Sequence, residues 1–160
     1  MQDLFYTPEY EEVEFVGMEV VRSDWTKLAK KFQKELFRRV FYEDEIEGWI
    51  KQFVEEVKNG HHDDSLVYKK RLTKPPEEYT KNVPPHVRAA LMLPKPKFGR
   101  IKEVRYLMTK AGPEPESLIS SEIDYQHYID KQVKPLADNV LFLFDKTFEN
   151  IVVGDQLSLF

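Results

Sequence analysis

Cysteine is absent from the 160 residues. Without it the chain can form no disulfide, iron–sulfur cluster, thiolate zinc site or cysteine nucleophile, a composition that fits a reducing cytosol. Glycine is scarce, at 6 residues, and too scattered for a Gly-x-Gly-x-x-Gly turn or a Walker lysine loop. The 4 histidines include no His-Glu-x-x-His, and Asp-x-Asp occurs nowhere. The common phosphate cradles and hydrolytic metal motifs are therefore missing. No apolar run approaches the ~18 residues that span a bilayer. The acidic stretch Met1 to Glu14 lacks the basic, apolar, small-residue order of a signal peptide, so the expectation is a cytoplasmic chain with no membrane partner.

What is present is enough for one domain. A content of 41% hydrophobic and 13% aromatic residues opposes disorder, while 32% charge and a mean hydropathy of -0.55 suit an aqueous surface. A chain of this length buries roughly 68–70% of its unfolded surface on folding. The net charge of -4 conceals a division: residues 66–110 hold 12 Lys+Arg against Glu77, Glu78 and Glu103, leaving that block at +9 and the remainder at -13. A basic block between acidic flanks points to a polyanion partner, or else to a solvated face paired with those flanks.

The apolar spacing predicts an α+β chain, mostly helical with a few short strands. Residues 1–22 read as an acidic, extended leading segment with a short strand about Val13, Phe15 and Gly17 to Val20. From a cap at Ser23 or Asp24, Trp25, Leu28, Ala29, Phe32, Leu36, Val40 and Phe41 mark a helix over 24–42. Ile46, Trp49, Ile50, Phe53, Val54 and Val57 mark a second, ending at Asn59-Gly60 and completing a helical hairpin. Leu66 to Leu72 mixes β-branched and aromatic residues with lysines before Pro75-Pro76. Pro84-Pro85 opens a short helix through Val87, Ala90 and Leu91, which Pro94 and Pro96 end. A strand through Ile101, Val104, Tyr106 and Met108 closes at the turn residues Gly112-Pro113. Asp124 caps a long helix through Tyr125, Tyr128, Leu136 and Phe144, kinked near Pro135.

Few of the polar residues suggest chemistry. His61-His62-Asp63-Asp64 is the single metal-like cluster, and one ion would collect about two of its side chains; a small metal hydrolase built there is one reading. The plainer one is a polar turn in which Asp63 or Asp64 caps the next element. His86 and His127 stand alone as packing or phosphate-contacting residues. Glu11-Glu12, Glu55-Glu56 and Glu77-Glu78 look like solvated faces, and no residue is assigned as catalytic. The sharpest feature is the end, Gln156-Leu157-Ser158-Leu159-Phe160 after Gly154-Asp155. Three large apolar side chains at a chain end either fold back on the core or dock as a linear motif, and the residues alone leave both open.

Gln-Leu-Ser-Leu-Phe resembles the pentapeptide by which bacterial replication proteins bind the β sliding clamp. From about Val13 to Phe160 the chain resembles the C-terminal part of the bacterial DNA polymerase II type of family B DNA polymerases. The segments that carry this are Gly17 to Trp25, Leu66 to Leu72, Glu78-Tyr79 and Asn82 to Ala90. Further on, they are Ala111 to Pro115 and Asp124 to Ile129 with Gln132 and Pro135. Met1 to Glu12 has no counterpart, and the loop around Leu93 to Phe98 is shorter than the family's. The family's two-metal carboxylates and its Lys-Lys-Arg-Tyr-type segment lie upstream and are not in this chain.

The resemblance implies the end of a palm over residues 1–22, a thumb-like helical domain over 23–150 and a flexible clamp-binding tail over 151–160. It implies a non-catalytic part of a polymerase that grips duplex primer-template DNA, with nucleoid association. Phosphate contacts would fall to Lys69, Lys70, Arg71, Lys74 and Arg88, with Tyr79 and His86 as hydrogen-bond donors. Gln156, Leu157, Ser158, Leu159 and Phe160 would meet the clamp. No metal or cofactor is expected in this chain; Mg2+ would sit on a palm borne by another polypeptide. The alternative is a free-standing clamp-binding adaptor with no role in synthesis.

Overall fold

The computed structural model describes residues 25–41 and 45–152. The strand expected over Val13 to Val20, the caps at Ser23 or Asp24, and Gln156 to Phe160 lie outside the described residues.

Helix α1 spans Lys27–Phe41. Leu28, Phe32 and Leu36 stand four apart, with Ala29 and Phe37 beside them, so one face is apolar and all five are buried. The helix begins later than the sequence suggested, and its cap is Thr26. The Thr26 hydroxyl accepts from the Ala29 N–H at 3.3 Å and donates to Gln132 Oε1 at 2.7 Å, while the Thr26 N–H reaches the same oxygen at 3.3 Å. Helix α2 spans Ile46–Lys58 and is opened by the Glu45 carboxylate, which accepts from the Gly48 N–H at 2.8 Å. Its end is where Asn59-Gly60 predicts it. Gly60 takes a φ of 82°, its N–H bonds to the Val57 carbonyl at 3.1 Å, and the His61 N–H bonds to the Glu56 carbonyl at 3.0 Å. This pair of bonds is the Schellman arrangement, in which a glycine accepts the left-handed conformation without a Cβ clash. Phe32 locks the two helices together, lying 5.1 Å from the Trp49 ring and 4.9 Å from Phe53.

The sheet is an antiparallel meander, in the order β1 (Tyr68–Arg71), β2 (Glu103–Thr109) and β3 (Gly112–Pro115). Gly112 and Pro113 belong to β3 rather than to a turn. Lys110 and Ala111 make the two-residue connection, and the Thr109 hydroxyl fastens it by donating to the Gly112 carbonyl at 2.7 Å and accepting from the Ala111 N–H at 3.2 Å. Helix α3, Pro85–Leu91, lies between β1 and β2 in the chain and starts on Pro85, whose missing N–H costs nothing in a first turn. Within β3, the buried Glu114 carboxylate accepts from the Ser120 and Ser121 N–H groups and the Ser121 hydroxyl, at 2.9, 3.3 and 2.8 Å. Those bonds, the Ser120 N–H foremost, hold its pKa below the usual carboxylate value.

The long helix is broken into α4 (Tyr125–Tyr128), a π turn (Ile129–Val133) and α5 (Lys134–Leu141). Asp124 caps it as expected, accepting from the His127 N–H at 3.2 Å. The irregularity expected at Pro135 falls one turn earlier, because the proline ring crowds the carbonyl four residues back and offers no N–H of its own. A 3-10 turn at Phe142–Phe144 follows, then helix α6, Phe148–Val152, in which Ile151 is buried. Ile151 and Val152, the first residues of the expected tail, thus complete a helix of the domain.

Two apolar cores result. The larger joins α1, α2, α4 to α6 and the π turn; the smaller joins Leu72, Val104 and Tyr106 to Val87, Ala89 and Ala90 of α3. Tyr68 packs on both. Its ring stacks 5.1 Å from Tyr106 and 5.5 Å from Tyr128, and its hydroxyl meets His127 Nε2 at 2.8 Å. Burial pushes the Tyr68 and Tyr128 hydroxyls up from their ordinary pKa and pushes His127 down.

Gln132→Ala should strip the acceptor that serves both the Thr26 N–H and hydroxyl at a buried site, and on the order of 1–3 kcal/mol of stability should be lost. Urea unfolding of the variant beside the parent checks this. Acid should weaken the fold through His127 as well. Its folded pKa lies below the ordinary value of 6.5, so the unfolded chain binds the proton first. The stability is whole above that value and falls as pH drops through the folded value. His127→Gln should show a smaller loss of urea midpoint than the parent between about pH 7.5 and about pH 5.5; His86, shifted the same way, accounts for part of the remainder.

Candidate nucleic-acid interface

Strand β1 decides where the basic residues face. Successive strand residues point to opposite sides, and the register pairs Tyr68 with Tyr106, Lys69 with Arg105, Lys70 with Val104 and Arg71 with Glu103. Lys69 and Arg71 therefore share one face with Glu103 and Arg105. Lys70 emerges on the other, beside Tyr68 and the cover provided by α3. The run Lys69-Lys70-Arg71, contiguous in sequence, is not one patch in space.

The Lys70 side of the sheet carries most of the remaining candidates. His86, on the first turn of α3, lies close enough to Lys70 for that charge to lower its pKa, after burial, which is the larger cause. A neutral imidazole at pH 7 offers an N–H donor rather than a cation. Tyr79 stands edge-on to His86, with centroids 6.3 Å apart, and the Lys74 ammonium sits 4.7 Å from the Tyr79 ring centre. Thr73 fixes Tyr79: its hydroxyl and N–H reach the phenol oxygen at 3.2 and 3.3 Å. The Thr73 hydroxyl bond also leads the causes that hold the Tyr79 pKa below its ordinary value. Lys70, Lys74, Tyr79 and His86 thus form one group of two cations and two polar rings. Arg88 is elsewhere: its Nη2 lies 3.2 Å from where a Cβ on Gly112 would stand, over β3.

Several other cations of the block have partners close by. Lys69 meets Glu103 at 3.8 Å, Lys95 meets Glu77 at 3.9 Å, Arg105 meets Glu116 at 2.6 Å and Lys110 meets Glu122 at 2.9 Å. Arg100 donates to the Leu72 carbonyl at 3.0 Å. Glu77 and Glu103 lie inside the block, while Glu116 and Glu122 belong to the acidic flank that follows it, so two of these four contacts use the flank pairing that the charge map allowed. Arg71, Lys81, Arg88, Lys97 and Lys102 have no ion pair among the described residues.

Two members of the His61 to Asp64 cluster, His62 and Asp63, are engaged by neighbouring side chains. His62 stacks on Phe53 with centroids 4.7 Å apart, and its ring nitrogens meet Glu56 Oε1 at 3.0 Å and Lys31 Nζ at 2.8 Å. Neither aspartate caps the Asp63–Ser65 turn; Asp63 instead accepts from the Tyr125 hydroxyl at 3.1 Å. That bond helps burial, the larger cause, push Tyr125 up to about 12. No group of three or more metal-ligating side chains could hold an ion among the described residues. A shallow cleft between Val54, Ile129 and Val152, closed at one side by the 2.7 Å Lys134–Glu149 pair, contains none of the candidates.

One feature escaped the sequence reasoning. Phe98 is 91% exposed, at the tip of the Pro94 to Gly99 loop. The available signal was a lone aromatic among Pro94, Lys95, Pro96, Lys97 and Gly99, with no apolar residue at strand or helix spacing to pair with it.

No protein-family model matches the chain. It is similar to DNA polymerase II of Escherichia coli strain K12, with 39% identity over 154 residues, 91% of this chain and 20% of that protein. It is 33% identical over 160 residues to DNA polymerase 2 of Aeropyrum pernix, covering 92% of this chain and 20% of that one. Among solved structures, the family B DNA polymerase from the hyperthermophilic archaeon Pyrobaculum calidifontis superimposes with a TM-score of 0.62 at 29% identity, over 75% of this chain and 18% of that one. The chain therefore spans about a fifth of the length of these relatives.

Proposed function

The chain is homologous to the family B DNA polymerases, and on that premise we propose that it is a thumb-like, non-catalytic part that grips duplex primer-template DNA and tethers synthesis to the β sliding clamp. The observation that carries the grip is the group formed by Lys70, Lys74, Tyr79 and His86 on one side of β1 and α3. Two ammonium groups beside two hydrogen-bond donors suit phosphate oxygens and read no base edge, which is the binding a polymerase needs on product DNA. Arg88, Lys69 and Arg71 leave the sheet in other directions and act, where they act, at separate phosphates.

Among the described residues no group of three or more metal-ligating side chains could hold the Mg2+ ions of phosphoryl transfer. Glu35 is held by Arg38 and Arg39, Glu56 by Gln52 and His62, and Glu116 by Arg105. Those ions belong to a palm-bearing polypeptide, and this chain's part is to position the duplex. Phe142, Leu143 and Phe144 support attachment to further protein rather than a free-standing adaptor: they are consecutive, and 64%, 53% and 49% exposed. Gln156 to Phe160 would bind the clamp with Leu157, Leu159 and Phe160 as anchors and Gln156 as an orienting hydrogen bond.

Duplex binding should be indifferent to sequence and steep in salt. Replacing Lys70 and Lys74 with alanine should flatten the plot of log K against log salt by about 1.8, at roughly 0.9 per phosphate contact. The Lys69→Ala, Arg71→Ala pair on the opposite face should change the slope less, and the reverse order would overturn the assignment of the face. Deleting Gln156 to Phe160 should abolish binding to a bacterial β clamp, expected near the micromolar level or about -8 kcal/mol, and leave duplex affinity and Tm unchanged. A large fall in Tm with clamp binding retained would show that the tail packs on its own domain.

A further inference from the structure

Two groups of exposed aromatic residues mark the surface, and their electrostatic surroundings differ. Phe142 and Phe144 stand beside Asp145, and the nearby Lys146 is already committed to Glu47 at 2.7 Å. Phe98 stands among cations: Lys95 and Lys97 precede it, Arg100 and Lys102 follow, and Lys97 and Lys102 have no ion pair among the described residues.

The Phe98 loop is held at both ends and open at its tip. Before it, the Met92 and Leu93 N–H groups bond to the Ala89 and Ala90 carbonyls, both at 3.1 Å; after it, Arg100 pins the backbone to the Leu72 carbonyl at 3.0 Å. Pro94 and Pro96 restrict the intervening backbone. Gly99 turns it with a φ of 73°, and a Cβ there would meet nothing within 4 Å. A restrained loop thus presents one aromatic ring to water directly after two lysines in the chain. Such a ring loses little conformational freedom on binding, and the flanking ammonium groups favour an anionic ligand that itself carries a flat apolar face.

We propose that Phe98, with Lys95 and Lys97, is a stacking site for an unpaired nucleotide of single-stranded DNA. The base lies on the ring and the lysines meet the adjoining phosphates. Bases inside a duplex are stacked on one another, so their faces are not available to the ring, and the ligand is the single strand. The site takes DNA as its ligand from the reading given above, but it shares no residue with the Lys70, Lys74, Tyr79 and His86 group. The two therefore fail separately.

The test uses the full chain with a fluorescein-labelled oligothymidylate and a blunt hairpin duplex. Phe98→Ala should weaken oligothymidylate binding about fivefold or more, with its salt slope, the duplex affinity and the circular dichroism unchanged. Phe98→Trp should retain binding and show quenching of the added indole fluorescence. The Lys95→Ala, Lys97→Ala pair should flatten the single-strand salt slope by about 1.4, at roughly 0.7 per contact. Oligothymidylate binding by Phe98→Ala equal to the parent's, or an equal loss on both probes, overturns the proposal. If the Lys70 and Lys74 replacements leave the duplex slope untouched while Phe98→Ala behaves as described, only the duplex-grip reading falls.

Discussion

The stack of Tyr106, Tyr68 and Tyr128 is the contact on which the rest of the arrangement depends. Tyr68 is the first residue of β1, and its ring lies between one from the sheet and one from the broken helix. The Tyr128 hydroxyl accepts from the Met108 N–H at 3.0 Å, so the same ring that packs on Tyr68 also holds β2. Aromatic pairs at such separations contribute about 0.5–1.5 kcal/mol each beyond the area they bury, a range centred above that of an exposed ion pair. Because side chains alternate along a strand, fixing the face of Tyr68 fixes that of Lys70 and sends Lys69 and Arg71 the other way. The packing of an apolar junction thus decides which cations share a face of the sheet.

The exposed ion pairs act on availability rather than on stability. Lys69–Glu103, Arg105–Glu116 and Lys110–Glu122 have both partners well exposed, and pairs of this kind are worth about 0–1 kcal/mol. A phosphate competes with a carboxylate for the same ammonium or guanidinium on nearly equal terms, so the pairs dim parts of the basic block without abolishing it. Lys74 differs in having the Tyr79 ring as its neighbour, which carries no negative charge of its own at neutral pH.

Local chemistry explains what was legible in the sequence. Asn59-Gly60, Pro84-Pro85 and Asp124 act through bonds or constraints within a few residues, and each stands where its spacing places it. Thr26 was missed as a cap because its second partner, Gln132, is 106 residues away. Gly112-Pro113 suggested a turn since both residues favour one, yet strand pairing with Thr109 and Met108 prevails and moves the turn to Lys110-Ala111. The π turn gave only a kink as its signal, through Pro135. Of the candidate contacts, the residue types were legible and their faces were not. A basic tripeptide reads alike in a loop, a helix or a strand, and only the register with β2 divides it.

The buried polar side chains of the described residues are satisfied in a chain that spans about a fifth of the length of its relatives. Among the described residues no buried side-chain nitrogen or oxygen lacks a hydrogen-bond partner, and Thr26, Gln132 and Glu114 are all satisfied from within the chain. Each such group left unpaired would cost about 1–3 kcal/mol. What the chain leaves unfinished is at the surface, where Phe142, Leu143 and Phe144 end a helix in solvent and a left-handed Asp145, φ 58°, turns the chain away. Among the described residues the polar side chains of the interior are satisfied, whereas the Phe142 to Phe144 edge leaves apolar surface in solvent.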